Sequence, residues 1–161
     1  MISGFLKANQ AGKYVGILDE ENHLVLLDIE KTDFETNTLD KQTLKFDEKE
    51  VHEFCIEPEH GFVAVLFWNE SNVHIYQGAR LLFKLNTIEY SPFDASSVSA
   101  EKIHFIEFKD KCSFMAIALS NGYVMTFNFY PEIFEKLQRM SRIDPNFKLD
   151  KNLKETLLKF S

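Results

Sequence analysis

The chain repeats one pattern three times, and this repeat limits the folds open to it more than any other feature. Each copy is an apolar strand with a small residue near its middle, a polar turn, and a second strand. The first reads Tyr14-Val15-Gly16-Ile17-Leu18, turns at Asp19-Glu20-Glu21-Asn22, and returns as His23-Leu24-Val25-Leu26-Leu27-Asp28. The second reads Phe62-Val63-Ala64-Val65-Leu66-Phe67, turns at Asn69-Glu70-Ser71-Asn72, and returns as Val73-His74-Ile75-Tyr76. The third reads Phe114-Met115-Ala116-Ile117-Ala118-Leu119, turns at Ser120-Asn121-Gly122, and returns as Tyr123-Val124-Met125-Thr126-Phe127. Gly16, Ala64 and Ala116 are 48 and 52 residues apart, and Asn22, Asn72 and Gly122 are 50 and 50 apart.

The flanks repeat as well. Val51-His52-Glu53-Phe54-Cys55-Ile56 precedes the second hairpin and Ile103-His104-Phe105-Ile106-Glu107-Phe108 the third, which places His52 and His104 at matching positions; residues 2–8 offer the same strand to the first. Residues 43–46 and 80–85 supply a fourth strand to the first two units, whereas the third stops after its third strand. Four short antiparallel strands recurring every 40 to 50 residues or so are the signature of a propeller blade. An apolar second strand suits a sheet covered on both faces, and a small residue lets crowded sheets approach. On these residues the body resembles degenerate WD40-like β-propeller repeats over about residues 1–130. Leu27-Asp28, Tyr76-Gln77 and Phe127-Asn128 stand where a Trp-Asp pair would end each unit, and the Gly-His dipeptide is absent.

The expected fold is therefore mainly β. One form is a partial propeller of three blade-like antiparallel sheets, in units of about 1–47, 51–86 and 102–130; a sandwich or barrel is the other. A ring has roughly four to eight blades, so three sheets leave apolar faces and edges open. More of a propeller, a partner, or the C-terminal segment must cover them.

After Tyr130-Pro131 the apolar period changes from two to 3.6. Pro131 suits a first helical turn, and Ile133, Phe134, Leu137 and Met140 mark one face of a helix. A second helix is expected from Asp150, with Leu149, Leu153, Leu157 and Phe160 on one side and Lys151, Lys154 and Lys159 largely off it. Residues 131–161 thus read as a helical extension that either covers the body or docks in a partner's groove.

Charge bounds the partners. Residues 131–161 hold seven basic and five acidic side chains, so the tail is +2 and residues 1–130 carry −9 of the net −7. An acidic body repels phosphate, which argues against duplex DNA; only the tail can approach RNA, as in a ribosome-associated factor. The longest apolar run, residues 62–68, falls far short of the roughly 20 residues of a membrane helix. No signal peptide is visible at the N-terminus, and Cys55 and Cys112 form no disulfide framework, which points to cytosol or nucleus.

Little suggests catalysis. The five histidines have no metal-ligand spacing, the glycines form no phosphate loop, and there is no Gly-x-Ser-x-Gly elbow, so no cofactor, metal or catalytic residue is assigned. The carboxylates of Asp19-Glu20-Glu21 and Asp47-Glu48-Glu50 fall in polar turns, and an enzyme with a dispersed site is the remaining alternative. Sixteen phenylalanines and five tyrosines are mostly core. Trp68 abuts a turn, where it fits either an interface anchor or a residue tucked under its own loop. The expectation is a non-enzymatic interaction module, a subunit or accessory factor of a larger assembly, contacting partners through Trp68, Lys151, Lys154, Leu157, Lys159 and Phe160.

Overall fold

The structure, a computed structural model, describes residues 5–33, 35–36, 40–46, 49–68, 70, 72–86, 100–107, 113–129, 136, 139, 143 and 158–160. The strands among them are β1 (Phe5–Ala11), β2 (Tyr14–Asp19), β3 (His23–Asp28), β4 (Lys41–Lys45), β5 (Val51–Ile56), β6 (Val63–Phe67), β7 (Asn72–Gln77), β8 (Arg80–Asn86), β9 (Ala100–Glu107), β10 (Ser113–Leu119), β11 (Val124–Phe129) and β12 (Leu158–Phe160). They form three antiparallel sheets of four strands each, ordered β1-β2-β3-β4, β5-β6-β7-β8 and β9-β10-β11-β12. Neighbours in sequence are neighbours in space within every sheet. This is the mainly β, blade-like arrangement that the repeat implies, and it is not one continuous barrel.

Two apolar cores separate the three sheets. In β6, Val63, Val65 and Phe67 enter a core with Leu18, Leu24, Leu26 and Leu44 of the first sheet. The alternate residues Ala64 and Leu66 enter a second core with Ile103, Met115, Ile117 and Leu119 of the third sheet. Side chains alternate across a strand, so a strand buried at every position must be covered on both faces. All five residues of β6 are buried, whereas β2 and β3 of the first sheet alternate between buried and half-buried.

Gly16 does what the repeat suggests. A Cβ added to Gly16 would stand 2.7 Å from Phe54 Cε2 and 2.9 Å from Ile56 Cδ1, so the first two sheets approach at a distance only glycine permits there. Pairing also defines equivalent positions on the innermost strands: Asn9 pairs with Gly16, Cys55 with Ala64, and His104 with Ala116. Strand β1 touches β5, and β5 touches β9. Asn9, Cys55 and His104 line one cavity of about 230 Å³, so the first strands of the three sheets come together there.

Three expectations need correction. The register makes Cys55, not His52, the counterpart of His104, because Cys55 stands nine residues before its partner Ala64 and His104 twelve before Ala116, so the hairpin between β5 and β6 is three residues shorter than the one between β9 and β10. Asn22 (φ 64°) and Gly122 (φ 87°) take equivalent left-handed turn positions, each donating its N–H to a carbonyl three residues earlier, but Asn72 is the first residue of β7. The third unit is not cut short: Leu158–Phe160 is extended and pairs with β11, Phe127 opposite Phe160, so the chain end is strand where helical spacing suggested a helix. An unpaired strand edge offers backbone partners that outweigh weak local helix preference. Lys136, Arg139 and Ile143 have helical backbone; the remainder of the two expected helices, with Lys151, Lys154 and Leu157, lies outside the described residues.

Candidate protein-interaction surface

The turns that join β2 to β3 and β6 to β7 build a polar rim. Asn22 is its tie: its Oδ1 accepts from Val51 N at 2.9 Å, and its amide donates to the carbonyls of Phe46 and Lys49. One side chain thereby joins the first hairpin to the entry of the second sheet. Next to it, Lys49 Nζ lies 2.7 Å from Glu70 Oε1, and His74 Nε2–H donates to Glu70 Oε2 at 2.9 Å.

His74 is buried, its ring edge-on to Phe67 at 4.8 Å. Burial holds its imidazole below the ordinary value, and the Glu70 hydrogen bond opposes this only in part. Burial pushes the Glu70 carboxyl upward, but hydrogen bonds from Lys49 and His74 outweigh that and hold it below the usual range. The trio is thus a neutral histidine on an ionised, paired carboxylate. It fastens the β6–β7 turn.

Trp68 follows β6 at the same rim and is 54% exposed. Its N–H donates to the Glu50 carbonyl at 3.0 Å, which fixes its backbone. Its ring lies against His52, centroids 3.8 Å apart and planes 43° from each other, and Glu101 Oε2 stands 3.8 Å from His52 Nε2. Beneath, Lys7 Nζ donates to the His52 carbonyl at 2.9 Å and to Glu53 Oε1 at 2.7 Å, tying β1 to β5. Trp68 is therefore held from below and open above; it is not tucked under its loop.

Two other groupings have the residue types of a site. Asp19, Glu21 and His23 can bring three ligand atoms within 4.8 Å of one another. Yet Asp19 Oδ1 already accepts from Glu21 N and His23 N, both at 2.9 Å, so the carboxylate is the clasp of its own turn. At the opposite end, Tyr14, Asp28, Lys31, Asp40, Gln42, His60 and Gln77 line a polar cleft of about 180 Å³. There too the buried carboxylates hold backbone: Asp28 accepts from Glu30 N and Lys31 N, and Glu57 from Glu59 N and His60 N. Of the turn carboxylates noticed in the sequence Asp19 acts in this way, and Asp47 and Glu48 lie outside the described residues. Glu57 and Asp28 were not singled out there, although an acidic residue two or three positions before a turn's backbone amides is a usable signal.

Of the residues expected to contact partners, the structure places Trp68 at the rim and Lys159 and Phe160 in β12, and it does not bring these together through any described contact. No helix among the described residues is long and apolar enough to cross a membrane.

Neither a protein-family model nor a curated protein matches the chain. Among solved structures it is similar to the β-propeller domain of Cps50 (Swd1) from Myceliophteria thermophila, at 9% identity and a TM-score of 0.53. The match covers 78% of this chain and 40% of that one, so the chain spans well under half of the domain it resembles. At that identity the likeness is one of fold.

Proposed function

We propose that this chain is a non-catalytic protein-interaction module, a subunit or accessory factor of a larger assembly, which docks a partner protein on the rim around Trp68. The observation that supports this most is the pairing of exposure with fixation at Trp68. A tryptophan more than half open to solvent, yet held by a ring contact and a backbone hydrogen bond, loses little freedom on binding. The rim's charges favour a polar-edged protein surface, with Lys49, Glu70 and Glu101 around an apolar centre. The histidines and carboxylates described above fasten turns and strands, which is a scaffold's use of them. The propeller-like fold supports the same reading, since such folds offer their rims and edges to partners.

The test compares the chain with its Trp68→Ala variant in pull-downs from native extract, scored for both protein and RNA. The proposal expects a defined protein partner that Trp68→Ala loses at least tenfold while the thermal melt barely moves. Recovery of RNA alone, with a steep fall of binding in salt, would overturn it.

A further inference from the structure

We infer that the chain closes its ring with a second copy of itself: the outward face of the first sheet packs on the outward face of the third sheet of the other copy, twice, giving six blades. This rests on the sheet arrangement and is independent of the Trp68 reading.

Register makes the argument. Gly16, Ala64 and Ala116 are equivalent, so Val15 and Ile17 correspond to Val63 and Val65 and to Met115 and Ile117. In the second and third sheets these four are fully buried against the preceding sheet. In the first sheet Val15 and Ile17, with Leu27 and Val25 opposite them on β3, are only half-buried. The other open face shows the converse. Ala64 and Leu66 are fully buried against the third sheet, while their counterparts Ala116 and Ala118 are half-buried and Val124, opposite Ala118, is 61% exposed.

The two open faces complement each other as the joined faces do. In both internal interfaces a face carrying a small residue meets one carrying branched or long aliphatics: Gly16 and Leu18 against Val63 and Val65, then Ala64 and Leu66 against Met115 and Ile117. Ala116 and Ala118 against Val15 and Ile17 would be the third instance. The middle sheet keeps these two faces from meeting each other, and a second copy offers each of them its complement. Two unlike faces make a head-to-tail contact, and three sheets from each of two copies give a closed number of blades.

Area favours closure over a one-sided contact. A face of four strands, each five or six residues long, covers about 350 Å². One such contact removes about 700 Å² from water and two remove about 1,400 Å²; a stable interface needs about 1,200–2,000 Å².

The experiment is sedimentation of the full chain, with one variant on each face, Ile17→Lys and Val124→Lys. The expected mass is twice 18.8 kDa, and each variant alone sediments at half that with its far-ultraviolet circular dichroism retained. An equimolar mixture of the variants recovers a dimer, weaker than the parent, because one of its two contacts is then free of substitutions. Val124 is so exposed that its replacement spares the fold even where Ile17→Lys does not. A parent chain that stays at 18.8 kDa to millimolar concentration, assemblies that grow without limit, or a dimer that Val124→Lys leaves intact would each overturn the inference.

Discussion

The middle and first sheets are built from nearly the same words, Ala64-Val65-Leu66 in one and Gly16-Ile17-Leu18 in the other, yet every residue of β6 is buried and β2 alternates. Hydrophobicity does not separate them; position in the row of sheets does. Among the described residues the middle sheet has a neighbour on each side and the first has one, so the same apolar alternation is a double core in one place and a less buried face in the other. An apolar strand thus reports that a face wants covering, and the arrangement of sheets decides whether it is covered within the chain.

The comparison breaks most visibly at two isoleucines in equivalent positions. Ile117 is fully buried against the middle sheet and Ile17 is half-buried on the open face. In chemical denaturation of the dilute chain, Ile117→Ala should cost about 2–5 kcal/mol and Ile17→Ala about 1 kcal/mol. Equal costs would mean that the first sheet is covered after all.

Next comes the small-residue position. Gly16→Val drives side-chain atoms into Phe54 and Ile56 and should cost about 1–3 kcal/mol. Ala116→Val, on the open face of the third sheet, should stay within about 0.5 kcal/mol in the monomer. Thermal melts of the two variants side by side check the difference.

Asn22 sharpens the link between the sheets. Asn22→Gly keeps the left-handed backbone but removes the bonds to Val51, Phe46 and Lys49, and should cost about 1 kcal/mol. Asn22→Ala adds backbone strain of a further 1 kcal/mol or so. If alanine is no worse than glycine, the turn does not hold its left-handed residue in solution.

The smallest effect is a pH dependence confined to the second sheet. His74 is held below its ordinary value of 6.5, so on acidification the unfolded chain takes up the proton first. Stability therefore falls as pH drops below about 6.5 and levels off beneath the folded value. Glu70, held below its ordinary 4.5, adds a second loss as pH falls from that value through its folded one. His74→Gln should remove the upper step and leave the lower, read from denaturation midpoints from pH 7 down to about 3.

How far the sequence reached follows from the range of each signal. The hairpins and the small residues were legible because alternation and turn chemistry are local. The mismatch of His52 with His104 came from hairpins of unequal length: Cys55 lies nine residues before Ala64 and His104 twelve before Ala116, a difference that matching the flanks by residue type does not register. At the rim, Trp68 stood out by its place beside a turn, but its contact with His52 of β5 joins residues 16 apart in the chain and was invisible. Glu101, 33 residues further on, was beyond any pattern.

By itself the sequence determined that strands form in three similar groups, that each group has a small residue in the middle of its second strand, and that the body is acidic. These follow from side-chain alternation, turn conformation and charge, which need no knowledge of distant contacts. Only the tertiary structure decided that Leu158–Phe160 completes the third sheet, that the second sheet lies between the other two, and which apolar faces are less buried among the described residues. Those outcomes depend on pairing between residues far apart in the chain, where the entropy of closing a long loop is set against the burial gained at its ends, a balance that no local stretch of residues records.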